Sequence, residues 1–237
     1  MSGKPHHGTA NRLLFVENVG QFDPRVRFEI LGGTHKIRIT DDALWLTVVE
    51  ARPADRMRWP ELSPLRPTEV LLQRSAVHLR LSFIGSNTAA RAKPVGALPT
   101  VVSYLHGSDP ALWHRAIPVW SGIVYSHLYP GVDLHIQGGG NGMEWHMKAQ
   151  RKASVDNVRL RVEGAERISA APWKPRKAVD SPVDGLDIFT PLGCVFVPSI
   201  GIDRHMTATM VIERVDLQVF DVSYPFASKG RTSAFDC

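Results

Sequence analysis

Between Val77 and Phe83 the side chains alternate without a break: Val77, Leu79, Leu81 and Phe83 are apolar, and His78, Arg80 and Ser82 are polar. A period of two specifies a strand with one buried and one wet face, because successive Cβ atoms point to opposite sides of the pleat. The pattern recurs in Val26-Arg27-Phe28-Glu29-Ile30, Lys36-Ile37-Arg38-Ile39-Thr40, Val158-Arg159-Leu160-Arg161-Val162 and Val215-Asp216-Leu217-Gln218-Val219. Half-buried strands of this kind belong to antiparallel sheets. The 17 prolines and 19 glycines fall mostly between these runs, where the chain has to turn. The expected fold is all-β, an antiparallel sandwich-like arrangement with long proline-rich loops and at most one or two short helices. One helix is expected where Asp109 can cap, Pro110 suits the first helical position, and Ala111-Leu112-Trp113-His114-Arg115 follows. Pro118 stops it, and Trp113 anchors the turn to a sheet.

A chain of 237 residues suits one large β domain or two small ones. The expectation is a single module over residues 11–226, with packed sub-units of about 11–100 and 101–226 as the alternative division, and flexible tails at 1–10 and 227–237. Two proline-rich stretches, Arg52–Thr68 and Ala171–Asp184, are expected to be exposed loops. No repeat of solenoid or propeller length is visible.

Net charge is +5, yet the arginines are dispersed along the alternating runs. No basic stripe is interleaved with stacking aromatics, so a nucleic-acid partner is not expected. No apolar run approaches the roughly 20 residues of a membrane span. The first apolar cluster, Leu13-Leu14-Phe15-Val16, is too short for a signal-peptide core. Cys194 and Cys237 are expected to be free thiols rather than a disulfide.

One hairpin concentrates chemistry-bearing side chains. Val132–Ile136 and Met143–Met147 flank Gln137-Gly138-Gly139-Gly140-Asn141-Gly142, a turn signal rich in residues that accept positive φ. The apolar residues of both strands share a face when paired positions sum to an odd number, for instance His135 opposite Glu144. Asp133, His135, Glu144 and His146 then share the other face. Two imidazoles and two carboxylates there would suit a divalent metal or acid–base work; ordinary solvated pairs are the simpler reading. Ser121, His127 and Asp133 assemble a triad only on paper. No zincin, Cys-x-x-Cys, nucleophile-elbow or phosphate-loop motif is present. Of the tryptophans, Trp59 and Trp173, both in proline-rich loops, are the ones expected to be exposed. With Arg56 and Arg58 they are the candidate contact residues.

A family resemblance rests on several short stretches in order. Glu17-Asn18-Val19-Gly20-Gln21-Phe22-Asp23 resembles the opening of a bacterial module that precedes seven-bladed β-propeller (SBBP) repeats. The similarity continues through Gly32-Gly33, Asp41-Asp42-Ala43-Leu44, Leu79–Gly85, Tyr104, Asp109-Pro110 to Trp113, Tyr129–Leu134, Glu144 and Leu160–Ala165. The resemblance implies an all-β, extracellular or cell-surface, non-enzymatic module of unknown molecular role. Asp133 and Glu144 match its pattern, while His135 and His146 depart from it, which weakens the metal reading. The lack of a leader-like segment makes a cytoplasmic or truncated chain the alternative to the surface setting.

The function expected from the sequence is thus a non-catalytic accessory, scaffolding or binding module with a protein or glycan partner and no cofactor. The alternative is a metal-binding module or metal-dependent hydrolase built on Asp133, His135, Glu144 and His146.

Overall fold

The computed structural model describes residues 13–53, 72–139, 142–150, 153, 155, 158–172, 184–202 and 210–224. Strands β1 (Leu14–Glu17), β2 (Phe28–Leu31), β3 (Lys36–Ile39), β4 (Ala43–Pro53) and β5 (Leu72–Phe83) form an antiparallel meander. A second meander is made of β6 (Ala92–Tyr104), β7 (His114–Tyr129), β8 (Val132–Gly139) and β9 (Gly142–Ala149). β10 (Arg159–Glu163) then returns to pair with β5. β11 (Arg167–Pro172), β12 (Asp184–Thr190) and β13 (Gly193–Pro198) make a separate antiparallel sheet. β14 (Gly201–Ile202) lies parallel to β9, and β15 (Val211–Asp216) and β16 (Val219–Ser223) continue the large sheet beyond β10.

The fold is all-β and antiparallel apart from that short parallel pair, and sandwich-like as the alternation implies. Thirteen strands join one sheet because β7 changes partners along one edge. Its Val119 and Trp120 pair with Val16 and Phe15 of β1, whereas Gly122 onward pairs with β8. β6 runs along the opposite edge of β7. A strand that serves two layers in this way makes a corner between them.

One core fills the space so enclosed. Ile39, Leu44, Leu79, Leu81 and Leu160 reach it from the first meander and β10, Ile123, Leu134, Ile136 and Trp145 from the second, and Leu186, Ile188 and Val195 from the small sheet. Phe83 meets Trp145 edge to face at 6.2 Å, across the layers. Fully burying a side chain of this size contributes roughly 1.5–3 kcal/mol, against about 0.5–1.5 net for a hydrogen bond, so packing dominates what holds the layers together. Polar links add direction. The Tyr125 hydroxyl donates to Thr40 O at 2.6 Å, the Tyr129 hydroxyl to Ile84 O at 2.9 Å, and the Trp145 indole N–H to Pro198 O at 2.6 Å. A smaller cluster, Val16, Ile117 and Val119 with Leu31, Leu98, Val102 and Tyr104, packs on the other side of β1. Adjacent residues Phe15 and Val16 therefore serve different cores, and both are fully buried.

The helix expected at Asp109–Arg115 is a single tight turn, Pro110–Leu112. Asp109 does cap it, accepting from the Ala111 N–H at 2.9 Å. The turn stops early because His114 already pairs with Tyr104, drawing the chain into β7 before Pro118 is reached. The Trp113 indole N–H donates to Gly107 O at 3.1 Å, and the guanidinium of Arg115, at the start of β7, lies 4.8 Å from its ring. The ends of the two proline-rich stretches belong to strands, since Arg52 and Pro53 close β4, Ala171 and Pro172 close β11, and Asp184 opens β12; the rest of both stretches lies outside the described residues. No helix among the described residues is long and apolar enough to cross a membrane.

Candidate functional site

The outward face of the first meander carries the clearest surface feature. In β4, Leu44, Leu46 and Val48 point into the core, so Trp45, Thr47 and Val49 point out. Trp45 is 37% exposed, and Val49, four residues further along the same face, 55%. Cross-strand pairing places Arg38 on one side of Trp45 and Arg80 on the other. Beyond them Glu29 is paired with Arg38, and Glu163 with Arg80. Directly paired residues show their side chains on one face. The result is a lateral row, Glu29–Arg38–Trp45–Arg80–Glu163, crossing five strands.

The charges in this row are fixed by one another. Glu29 is almost fully buried; its Oε2 accepts from Arg38 Nε at 2.9 Å and lies 3.2 Å from Lys36 Nζ. Arg80 pairs with Glu163 through Nη1 and with Asp42 at 2.8 Å through Nη2, and its guanidinium carbon stands 5.9 Å from the Trp45 ring centre. The Thr40 hydroxyl, 2.7 Å from Asp42, and then Arg80 hold the Asp42 carboxyl below its ordinary range against the opposing effect of burial. Thr47 Oγ1 and His78 Nδ1 are 3.1 Å apart in the next row. At the Arg38 end, Phe22 lies 5.4 Å from that guanidinium and meets Tyr104 edge to face at 5.2 Å. Burial, then the charge of Glu29, pushes the Tyr104 phenol up from its ordinary ionisation range.

The motif Glu17–Asp23 positions Phe22. Asn18 Oδ1 accepts from the Gly20 and Phe22 amides at 3.0 and 3.1 Å, and its Nδ2 donates to Asp23 O and Val26 O at 2.9 and 2.8 Å. Gln21 ties the loop to Glu17 O at 2.7 Å. Gly20 has φ +115, and a Cβ there would approach the His114 ring to 3.2 Å.

The hairpin differs in detail from its sequence reading. The strands reach Gly139 and restart at Gly142, so the connection is shorter than the six residues Gln137–Gly142. Pairing positions do sum to an odd number, but His135 stands opposite His146, not Glu144. Glu144 pairs with Gln137, and Asp133 with Lys148. The difference is a slide of two residues, which keeps the shared face and separates the carboxylates. Asp133 is engaged elsewhere: its Oδ1 accepts the His127 amide at 2.6 Å. Glu144 and His146 lie 3.7 Å apart, and the His146 ring fills the space that Gly201 leaves open. Among the described residues no three His, Cys, Asp or Glu side chains converge as they would around a metal ion. The paper triad is not assembled either, since Ser121 Oγ donates to Val95 O at 3.3 Å.

Trp59, Arg56, Arg58 and Trp173 lie outside the described residues. Trp45 is the exposed tryptophan among those described, while Trp113 and Trp120 are half-buried and Trp145 is buried. Its exposure was available from the alternation of Leu44-Trp45-Leu46-Thr47-Val48, because the inward parity is set by the leucines. Cys194 is a free, exposed thiol whose ionisation burial and then Asp187 push up.

A family model described as a domain of unknown function (DUF7948) matches residues 15–172. No curated protein matches the chain, and no solved structure does.

Proposed function

The chain belongs to the DUF7948 family, a domain of unknown function, and on that premise we propose that it is a non-catalytic binding module of a bacterial surface or secreted protein. The observation that carries this reading is Trp45, held exposed on the rigid face of a sheet between two arginines that are themselves pinned by carboxylates. An exposed indole with ordered polar neighbours suits recognition, since aromatic anchors supply most of the energy of many contacts. The groups around it serve each other in ion pairs, which suits positioning a ligand better than turning one over. The resemblance to the module preceding SBBP repeats supports the surface setting, with a glycan or a protein as partner.

The test is a parallel screen of the intact chain and its Trp45→Ala variant against an array of glycans and a panel of purified bacterial surface proteins. Ligands retained by the first and lost by the second are expected. An array on which both behave alike retires the reading.

A further inference from the structure

We propose that the Trp45 face takes neutral pyranose residues of a glycan chain lying across the strands. This rests on the binding-module reading and names its ligand class. The observations are the exposed indole, its place in the middle of a row crossing five strands, and the balance of charge around it. Three cations, Lys36, Arg38 and Arg80, are matched by three carboxylates, Glu29, Asp42 and Glu163.

That balance selects the occupant. A polyanion gains by meeting uncompensated cations and releasing counterions. Here each cation already has a carboxylate within ion-pair distance, so the face has little net attraction to offer a phosphate or sulfate polymer. A pyranose ring has a different chemistry. One face presents C–H groups, which pack flat on an indole, and the rim presents hydroxyls that each donate and accept. Guanidinium–carboxylate pairs supply both functions in fixed orientation, spare N–H groups from arginine and spare lone pairs from glutamate. Arg80 with Glu163 and Asp42 offers both functions on one side of Trp45, and on the other, where Glu29 is buried, Arg38 alone reaches the surface as a donor. Because the side chains are held by their mutual contacts, little conformational freedom remains to be lost on binding. Strand spacing of about 4.8 Å makes the row long enough for more than one sugar unit.

The experiment titrates the intact chain, monitored by tryptophan fluorescence and calorimetry, with cellohexaose, chitohexaose, heparin and an unfolded carboxymethylated polypeptide. Trp45→Ala and Trp45→Phe variants run alongside, with circular dichroism confirming that both fold. Saturable binding of a neutral hexasaccharide is expected, weakened at least about tenfold by Trp45→Ala and largely kept by Trp45→Phe. Neutral-sugar binding indifferent to Trp45→Ala would overturn the inference. Binding of heparin or the polypeptide alone also overturns it while leaving a binding module. Silence in all four titrations removes both.

Discussion

At the residue scale, two side chains act as substitutes for secondary structure. Asn18 closes the β1–β2 connection with four hydrogen bonds to backbone groups. At about 0.5–1.5 kcal/mol net for each, and with the loop half exposed, Asn18→Ala is expected to lower unfolding free energy by about 2 kcal/mol in urea titrations. Asp133 does a similar task inside β7. His127 has φ +53, a left-handed conformation that costs an L-residue roughly 1–2 kcal/mol. The Asp133 carboxylate captures the amide this conformation turns outward. His127→Gly is expected to raise stability by up to about 1 kcal/mol, and Asp133→Ala to lower it by about 1 kcal/mol, both read as midpoint shifts in denaturant. Ala116, also at φ +53, repeats the device with Ser103 Oγ receiving its amide at 3.1 Å. The resemblance motif and a proposed metal ligand thus turn out to shape backbone. The bonds from Asp133 and Ser103 reach amides 6 and 13 residues away and have no periodic signature, so nothing in the order of residues announced them.

At the scale of elements, the strands and their inward faces were legible while the register was not. Alternation fixes parity, and parity put His135 and His146 on one face as expected. It cannot distinguish pairings that differ by two residues, because both bury the same side chains. The tightness of the connection, with Gly139 opposite Gly142, decided between them. The same parity made Trp45 readable as an outward residue, whereas its arginine neighbours came from β3 and β5 and needed the pairing. Gly122 marks the point at which β7 leaves β1 for β8. A Cβ there would stand 2.5 Å from the Ile136 carbonyl oxygen, which is backbone and has nowhere to retreat. Gly122→Ala is therefore expected to cost about 1–3 kcal/mol, with amide exchange rising in β8 before it rises in β4.

At the scale of the whole molecule, acid is expected to loosen the fold in two stages. Burial lowers the His35 ionisation from its ordinary value, so the unfolded chain takes up that proton first as pH falls. Arg25 holds the Asp23 carboxyl at about 2, and Thr40 and Arg80 lower that of Asp42. In each case the unfolded state binds more protons over the interval between the two values, so stability rises with pH. The His35 contribution is complete above the usual imidazole range and is lost as pH falls through the lowered value. The Asp23 contribution is complete above about pH 4 and lost toward pH 2, and that of Asp42 is lost as pH falls through its own lowered value. Thermal melts at pH 7, 5 and 3 are expected to show falling midpoints, with Asp42→Asn reducing the drop between pH 5 and pH 3.

The partnership of β1 with β7 also has a consequence in time. Phe15 and Trp120 are made far apart during translation, yet they lie side by side in the finished sheet. While the ribosome works through the intervening residues, the nascent meander holds a bare margin of unpaired amides and carbonyls, with Val16 uncovered beside it. Slowing elongation in that interval would lengthen the exposure, and early engagement by a chaperone would protect the yield more than any stabilising change made to the mature protein.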